Sequence, residues 1–267
     1  MKHFNITKLR LLCLLLVCAI ALSCATGCST GGDALDRVLS KGVMRFGVTP
    51  DFAPISCDTA DGVSGLSVDI ALEIASRLNV EPEFVFIEQD KAVAALENGE
   101  IDCYLNFVAP DIKSTSTVLF IDTGLDYRQV AVTPPNSTIT RLVDLKQTTV
   151  AVVSESDAAA ALSDAAVLRE NIGTIAWQTD EEAAIDLLRS GDCSALIISE
   201  PRILYELRSA SGEFVILDDA LSQADFVFAF RIGDDTLHER IQIIFDDMST
   251  DGQFKTLVER WMGSSVG

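Results

Sequence analysis

The stretch VDIALEIASRLNVEPEFVFI (residues 68–87) passes from a helix-type pattern to a strand-type pattern. Through residues 68–80 the apolar side chains recur three and four positions apart, which is typical of a helix with one buried face. Residues 83–87, EFVFI, form a short run rich in aromatic and β-branched side chains, which favours a strand. The run VMRFGV (43–48) precedes them, so the sequence predicts a strand, a helix and a second strand.

The same alternation continues along the chain. We predict further helices at 91–99, from 154–157 onward, and at 181–191, 236–248 and 252–262, and further strands at 101–108, 127–133, 148–153, 174–178, 194–199, 213–217 and 224–232. Alternating strands and helices indicate an α/β fold with mostly parallel sheets covered by helices. Two such series within about 230 residues predict two lobes.

The N-terminus has the pattern of an export signal. Residues 1–10 carry three cations and no acid, and a short apolar run follows at 11–22, so we predict a signal peptide over 1–27. The sequence SCATGCSTGG (23–32) resembles a bacterial lipobox, with Cys28 as the lipidated residue and Cys24 as the competing site. A lipid-anchored flexible tether over 28–39 follows from this interpretation. Ordinary secretion with cleavage near the same place is the alternative.

The charge balance excludes some partners. Without residues 1–27 the chain has 17 lysines and arginines against 40 aspartates and glutamates, a net charge of −23. Nucleic acid and anionic lipid surfaces are therefore not expected partners. No second apolar stretch is long enough to span a bilayer, so the body is expected to be soluble.

Cysteine and histidine usage argues against catalysis and metal binding. The body keeps Cys57, Cys103 and Cys193, an odd number without a CxxC pair, so no disulfide framework is predicted. His3 leaves with the signal, and His238 lies on a charged helical stretch where a solvated side chain is expected. We therefore predict no metal, no cofactor and no catalytic residues.

Two loops carry candidate binding residues. Phe52, in TPDFAPIS (49–56), offers an apolar platform to a ligand, or packs beneath its own loop. Ser156 and Asp157 open a predicted helix, where free backbone N–H groups favour an anion. Capping of the helix by Asp157 itself is the favoured alternative.

Several segments in order resemble a known family. They are VMRFGVTPDFAPIS, GLSVDIALEIASRLNV, AVAALENGEIDCYLNFV and STVLFIDTGLDYRQVAV, followed by LVDLKQTTVAVVSESDAAAAL, AIDLLRSGDCSALIISEPRILYEL and DGQFKTLVERWMG. Together they resemble the extracytoplasmic solute-binding proteins of amino-acid-type ABC transporters (solute-binding protein family 3) over residues 40–263.

This resemblance implies a type II periplasmic-binding-protein fold. One lobe would comprise 40–131 and 222–267 and the other 132–221, with crossing strands near Val130–Pro134 and Leu217–Ala224. The lobes would close on a small polar solute by hinge motion. A monomer, anchored by lipid outside the cytoplasm and recognised by an ABC permease, is the implied arrangement.

The resemblance also implies site residues, and this sequence departs from the family at several of them. The arginine that usually grips the α-carboxylate aligns with Ser114, beside Lys113, and the aspartate for the α-amino group aligns with Ser199, beside Glu200. The remaining positions are Phe52 (aromatic kept), Gln89 (aromatic lost), and Asn106 and Phe107 (usually Ser or Thr). Each lost charge-assisted hydrogen bond is worth about 1.5–3 kcal/mol. We therefore expect a ligand that is not a standard α-amino acid, or one that is held differently.

Two other functions are compatible with the sequence. A lipoprotein that senses a ligand, or acts as a scaffold without transport, has the same sequence features. An enzyme similar to periplasmic dehydratases would need a carboxylate acid/base in the cleft, for which Glu200 is the candidate.

Overall fold

The computed structural model describes residues 33–50, 52–60, 62–108 and 117–263, except the side chains of Phe107 and Val108. The predicted signal peptide, both candidate lipidation cysteines, Lys113 and Ser114 lie outside the described residues. Every statement below refers to the described part of the chain.

The elements alternate as the sequence predicts. The helices are α1 (Ala34–Lys41), α2 (Leu66–Leu78), α3 (Ala92–Glu97), α4 (Asp157–Asp164), α5 (Ala166–Asn171), α6 (Glu181–Ser190), α7 (Glu200–Leu207), α8 (Asp235–Thr250) and α9 (Gln253–Met262). The strands are β1 (Val43–Val48), β2 (Cys57–Thr59), β3 (Gly62–Ser64), β4 (Glu81–Phe86), β5 (Cys103–Val108), β6 (Val118–Thr133), β7 (Thr149–Val153), β8 (Thr174–Gln178), β9 (Ala195–Ser199) and β10 (Val215–Arg231). Two 3₁₀ turns, Gln89–Lys91 and Leu142–Leu145, complete the order.

Eight of the strands form one sheet in the order β4-β1-β5-β10-β6-β9-β7-β8. Strands β4, β1 and β5 are parallel at one end, and β9, β7 and β8 are parallel at the other. Between them lie β6 and β10, which pair antiparallel with each other and with their outer neighbours β9 and β5. The predicted α/β class with mostly parallel strands and flanking helices is confirmed.

The central strands are longer than the sequence predicts. Separate strands at 213–217 and 224–232 were expected, but β10 runs without a break from Val215 to Arg231. The mostly polar segment 218–223 stays in the strand because Ala220, Ser222 and Gln223 pair with β6, with a register shift on each side of Ala220. Likewise β6 begins at Val118 and not at 127. The polar parts of these two strands were not predicted because cross-strand backbone pairing, which leaves no hydrophobic pattern, helps to keep them extended.

The buried apolar residues form clusters drawn from two sets of segments. Two clusters use residues between Ala34 and Tyr127 and between Phe226 and Met262. Two others use residues between Val130 and Leu217. Helices pack on the sheet in both sets, so each parallel group of strands has its own core.

Two expectations about single segments are wrong. Residues 34–39 belong to helix α1, capped by Asp33, with Ala34 and Val38 buried, so the flexible tether predicted for 28–39 does not extend beyond residue 33. His238 is half-buried and not fully solvated, because its ring contacts Phe230 edge-on and its Nε2 lies 3.1 Å from the carbonyl oxygen of Phe120. Cys103 and Cys193 are buried core residues.

Gly65 holds the loop that carries Phe52 against helix α2. Its φ is +136°, and a Cβ at this position would lie 2.3 Å from the carbonyl oxygen of Ile55. The amides of Leu66 and Ser67 donate to Pro54 and Ile55 just beside it. This close approach of two backbones requires a residue without a side chain.

We therefore expect Gly65→Ala to lower the free energy of unfolding by more than the ~1–2 kcal/mol that a positive φ alone costs an alanine. Gly124→Ala is the matched control, since Gly124 also has a positive φ (+71°) but nothing within 4 Å of its added Cβ. Chemical denaturation of both variants measures the difference. Equal losses would contradict the close-approach explanation.

Candidate functional site

A cleft of about 370 Å³ lies where the two parallel strand groups meet. Its walls include Thr49 just after β1, Gln89 just after β4, and the ends of β7 and β9 at Val153 and Ser199. The carboxyl ends of parallel strands are where open α/β sheets bind ligands. The full lining is Thr49, Pro50, Phe52, Glu88, Gln89, Tyr127, Gln129, Val153, Glu155, Ser156, Asp157, Ala158, Glu181, Ile197, Ile198 and Ser199.

The structure brings together five of the residues named from the sequence: Phe52, Gln89, Ser156, Asp157 and Ser199. Asn106 and Glu200 are described but do not line the cleft. The Phe107 side chain, Lys113 and Ser114 lie outside the described residues. The roles of all ten residues in binding stay predictions.

A hydrogen-bonded group built on β6 crosses the cleft. The Tyr127 hydroxyl donates to Asp157 Oδ2 at 3.2 Å, and Gln129 Nε2 donates to the same hydroxyl at 2.8 Å. Ser199 also hydrogen-bonds to Tyr127. Burial raises the pKa of the Tyr127 phenol well above its usual range, and the charge of Asp157 adds to the rise. Tyr127 therefore remains a protonated donor at every physiological pH.

Phe52 contacts this group from the opposite wall. Its ring lies 5.5 Å from that of Tyr127, centroid to centroid, in an edge-on arrangement. Phe52 is half-buried, and the loop is closed by the bond from its own amide to the carbonyl of Ser56. Phe52 packs against the neighbouring core cluster and also lines the cleft, so packing is present and its contact with a ligand stays a prediction.

Asn106 lies one layer behind the cleft. Its Nδ2 donates to Thr49 Oγ1 at 2.5 Å and to the Tyr104 hydroxyl at 2.8 Å. Tyr104 and Thr49 are themselves 2.7 Å apart, hydroxyl to hydroxyl. Asn106 is buried, so among these three residues Thr49 is the one that reaches the cleft wall. The amide thus orients a lining hydroxyl.

Ser156, and not Asp157, caps helix α4. The Ser156 hydroxyl accepts from the Ala159 amide at 3.2 Å and donates to the Val153 carbonyl at 2.7 Å. The expectation that Asp157 serves as the cap is wrong, because the helix begins at Asp157 itself and the residue before it has the extended backbone of a cap. The Asp157 carboxylate is therefore left to face Tyr127.

The lining is acidic. It contains Glu88, Glu155, Asp157 and Glu181, and no lysine, arginine or histidine among the residues that the structure describes. Burial raises the pKa of Glu181 above its usual value, while Arg202, 3.2 Å away, opposes the rise. The lining residues that the structure describes therefore contribute negative potential to the cleft.

Glu200 is bound to another side chain. Its Oε2 accepts from Arg128 Nε at 2.8 Å, and its second oxygen accepts from Arg128 Nη2. Arg128 also donates to the carbonyl of Asp218 at 3.2 Å. This bidentate pair ties β6 to the start of α7 and to β10. The carboxylate considered as a catalytic acid/base is thus engaged in an ion pair.

Sequence reasoning missed Thr49, Glu88, Tyr127, Gln129 and Glu181. A usable signal existed for Tyr127 and Gln129, since they are two apart on one strand and therefore point to the same face. The sequence instead predicts both residues to be part of a strand next to the expected crossing between the lobes. Glu181 gives no local signal, because an acidic residue at the start of a helix is common on any surface; in the structure it pairs with Arg202 and lines the cleft.

Known proteins are similar to this chain in sequence. The family model of bacterial extracellular solute-binding proteins, family 3, matches residues 44–264. The L-cystine-binding protein TcyJ of Escherichia coli K12 is 24% identical over 257 residues, covering 94% of each chain. The arginine-binding extracellular protein ArtP of Bacillus subtilis is 24% identical over 256 residues, covering 93% of this chain and 96% of ArtP.

Solved structures are similar to this chain in fold. An ancestral cationic amino acid solute-binding protein superposes with a TM-score of 0.74 at 25% identity, covering 85% of this chain and 99% of the other. A substrate-binding protein of a polar amino acid ABC uptake transporter from Streptococcus thermophilus has a TM-score of 0.75 at 21% identity, covering 90% and 93%, and it supports the fold alone.

The chain belongs to family 3 of the bacterial extracellular solute-binding proteins. It has their type II periplasmic-binding-protein fold and is a substrate-binding protein of the kind that serves ABC uptake transporters. In the part of the chain that the structure covers, no helix combines the length and the apolar character required to cross a bilayer.

Removing the Tyr127 hydroxyl tests the hydrogen-bonded group. Tyr127→Phe leaves the buried Nε2 of Gln129 without its acceptor, so we expect a loss of about 1–3 kcal/mol in the free energy of unfolding. Tyr205→Phe is the control, since Tyr205 is 40% exposed, and it should change stability by less than about 0.5 kcal/mol. Denaturant titration measures both. If the two variants were equally stable, the hydrogen bonds of the Tyr127 hydroxyl would not contribute to the stability of the fold.

Proposed function

We propose that this protein captures a small polar solute of the amino-acid class in the cleft and delivers it to an ABC permease. The observation that carries the proposal is the cleft itself, at the carboxyl ends of both strand groups, with hydroxyl, amide and carboxylate groups converging in it. Its volume of about 370 Å³ is within the range of sites for small ligands. An amino-acid-sized molecule fits such a space.

The proposed ligand contacts are the lining residues Phe52, Gln89, Ser156, Asp157 and Ser199, together with Tyr127 and Gln129. Asn106 supports the site through Thr49, and Glu200 supports it through Arg128. Phe107, Lys113 and Ser114 are proposed to contribute from the adjacent segment. With serine at 114 and at 199, the ligand would not be gripped by the arginine and aspartate that are usual in the family.

We also propose that the two sets of core clusters correspond to two lobes, with 34–131 and 222–267 in one and 132–221 in the other. Strands β6 and β10 are the segments that run through both, which supports a hinge there. The Tyr127–Asp157 hydrogen bond spans the proposed lobes. A ligand that prefers the closed arrangement would shift the balance toward it.

The protein is extracytoplasmic, as its family is, and we propose that a lipid on Cys28 anchors it to the membrane as a monomer. Non-catalytic binding is favoured, because the relatives are named as binding proteins. One similar fold is that of an ancestral amino-acid-binding protein described as a precursor of a dehydratase, at 24% identity. Among the lining residues that the structure describes, the carboxylates are the candidate acid/base groups.

A solute panel tests binding. The full-length protein should show saturable binding of at least one amino-acid-like solute in calorimetric titration. Phe52→Ala should weaken binding at least about tenfold, which equals about 1.4 kcal/mol, because the apolar wall is lost. Phe86→Ala, a 40% exposed phenylalanine outside the lining, should leave affinity unchanged. Binding that both variants weaken equally would place the ligand elsewhere.

Substitution of the two candidate cysteines tests the proposed lipid anchor. In a bacterial host, Cys28→Ala should move the protein from the membrane fraction to the soluble extracytoplasmic fraction and abolish incorporation of labelled palmitate. Cys24→Ala should leave both properties as in the natural protein. If Cys24→Ala alone releases the protein, the lipid is on Cys24. If neither variant does, the chain is not lipidated at these residues.

A further inference from the structure

We propose that a second pocket of this protein binds a phosphate-type oxyanion. The pocket has a volume of about 160 Å³, and we call it the basic pocket. Its charged lining residues, together with one glycine, are Arg37 and Lys41 of α1, Arg45 of β1, Gly99, Asp102 and Arg231 of β10. The proposal concerns a separate site and does not depend on solute capture by the cleft.

The basic pocket lies at the edge of the sheet opposite the cleft. Val43 begins β1 and Asp102 directly precedes β5, so both lie at the amino ends of parallel strands. Arg231 ends β10, which runs antiparallel to β5 and finishes at the same edge. The cleft lies at the carboxyl ends of the parallel strands, about 20 Å away along a strand of six residues. An anion in the basic pocket would therefore not touch a solute in the cleft.

The charge of this lining is opposite to that of the chain as a whole. Without residues 1–27, acids outnumber lysines and arginines by 40 to 17, yet the basic pocket is lined by four cations and one carboxylate. Arg37 and Lys41 are four positions apart on one face of α1, where two like charges destabilise a helix. Convergence of cations from a helix and two strands is unfavourable unless negative charge offsets it.

The carboxylates of the protein hold the guanidinium groups in place. Arg45 donates from Nη2 to Asp102 Oδ1 at 2.9 Å and from Nε to Asp102 Oδ2 at 3.2 Å. Asp234, which is buried, accepts at Oδ1 from Nη2 of Arg37 at 3.1 Å and from Nη2 of Arg231 at 2.8 Å. These pairs orient three guanidinium groups but supply only two negative charges.

Several donors are left over. Lys41 is exposed and makes no ion pair within the described part of the chain. The Nη1 groups of Arg45 and Arg231 likewise have no acceptor among the described residues. Arg231 Nη1 lies 3.5 Å from the place where a Cβ on Gly99 would stand, so this glycine leaves the guanidinium open to the pocket. Even with Glu83, whose charge also acts on Arg45, these cations outnumber the carboxylates by four to three.

The chemistry of these donors fits a phosphoryl group. Guanidinium forks and an ammonium only donate hydrogen bonds, and they match the several acceptor oxygens of a tetrahedral oxyanion. At about 30 Å³ for each water molecule, the pocket has room for about five waters, or for one such group with some water.

Two sources share this chemistry, free phosphate and the headgroup of an anionic phospholipid. The net charge of the chain opposes non-specific attraction to a lipid surface, so a headgroup would have to be bound at this pocket. Helix α1 begins at Ala34, six residues after Cys28. With the proposed lipid on Cys28, an extended linker of that length reaches about 20 Å, which keeps α1 near the membrane.

Titration with inorganic phosphate tests the free source. In calorimetric titration of the full-length protein at low ionic strength, we expect saturable binding that Lys41→Gln weakens about fivefold or more. Lys41→Glu should abolish it, because the charge is reversed. Lys146→Gln and Lys146→Glu are the matched controls and should leave the affinity unchanged, since Lys146 is also exposed but lies outside the pocket. Circular dichroism verifies that all four variants are folded.

Vesicles test the lipid source. A full-length variant with both Cys24 and Cys28 replaced by alanine, which removes the candidate lipidation sites, is sedimented with vesicles of phosphatidylcholine with or without phosphatidylglycerol. Binding that requires phosphatidylglycerol and is lost in Lys41→Glu, but not in Lys146→Glu, assigns the pocket to a headgroup. Phosphate binding with the same variant pattern and no vesicle binding assigns it to free phosphate.

Amide chemical shifts locate the bound phosphate. In two-dimensional NMR spectra of the full-length protein, phosphate should shift the amides of Val43 and Gly99, which line the basic pocket, more than those of Ala158 and Ser199, which line the cleft. Shifts confined to the cleft amides would overturn the proposal. It also fails if neither phosphate nor vesicles bind, or if the Lys41 and Lys146 variants behave alike.

Discussion

The antiparallel pairing of β6 with β10 organises the whole molecule. These two long strands join the parallel group β4-β1-β5 to the parallel group β9-β7-β8 in one continuous sheet. Each group has helices and a core of its own, but only β6 and β10 pass through both. The carboxyl ends of the two parallel groups therefore point toward a shared space. The cleft is a consequence of this topology, since strand ends in open sheets leave a crevice where the order changes.

The chemistry of the cleft depends on the same pairing. Tyr127 and Gln129 lie on β6 at the point where it passes between the two strand groups, and they alternate to the same face. Asp157 comes from the start of α4 and meets the Tyr127 hydroxyl. The result is a series of hydrogen bonds from Gln129 through Tyr127 to Asp157, with a hydrogen-bond acceptor at each end. The charged residues of the described lining are all negative. An arginine clamp, which would suit an α-carboxylate, is not part of this described lining.

Much of the fold follows from local sequence. Alternating helix-type and strand-type runs predict the elements well, because burial of one helical face or of a whole strand leaves a periodic trace. The prediction fails where burial is not the cause. The segment 218–223 is mostly polar, yet it remains in β10 because Ala220, Ser222 and Gln223 pair with β6. His238 was read from its charged neighbours, but its ring packs on Phe230.

The sequence predicted only part of the candidate site. Phe52, Gln89, Ser156, Asp157 and Ser199 follow strand ends or fall on family positions, and all five line one cleft. Asn106 and Glu200 share those signals but lie behind or beside it, because Thr49 and Arg128 occupy their polar groups. Sequence position shows which residues are near a strand end. It does not show which polar atoms are already satisfied by a neighbour.

The sequence by itself determined the α/β class, the alternation of elements and the family, because these depend on periodic burial and on the order of segments. Only the tertiary structure decided that Ser156 caps α4, that Glu200 pairs with Arg128, and that Gln129 keeps an unpartnered acceptor in an acidic cleft. The Glu200–Arg128 pair joins residues far apart in the chain, and the orientations of Ser156 and Gln129 depend on how the folded backbone places their side chains. Such contacts leave no periodic trace, since hydrogen bonds and ion pairs depend on distances of about 3 Å that only folding sets.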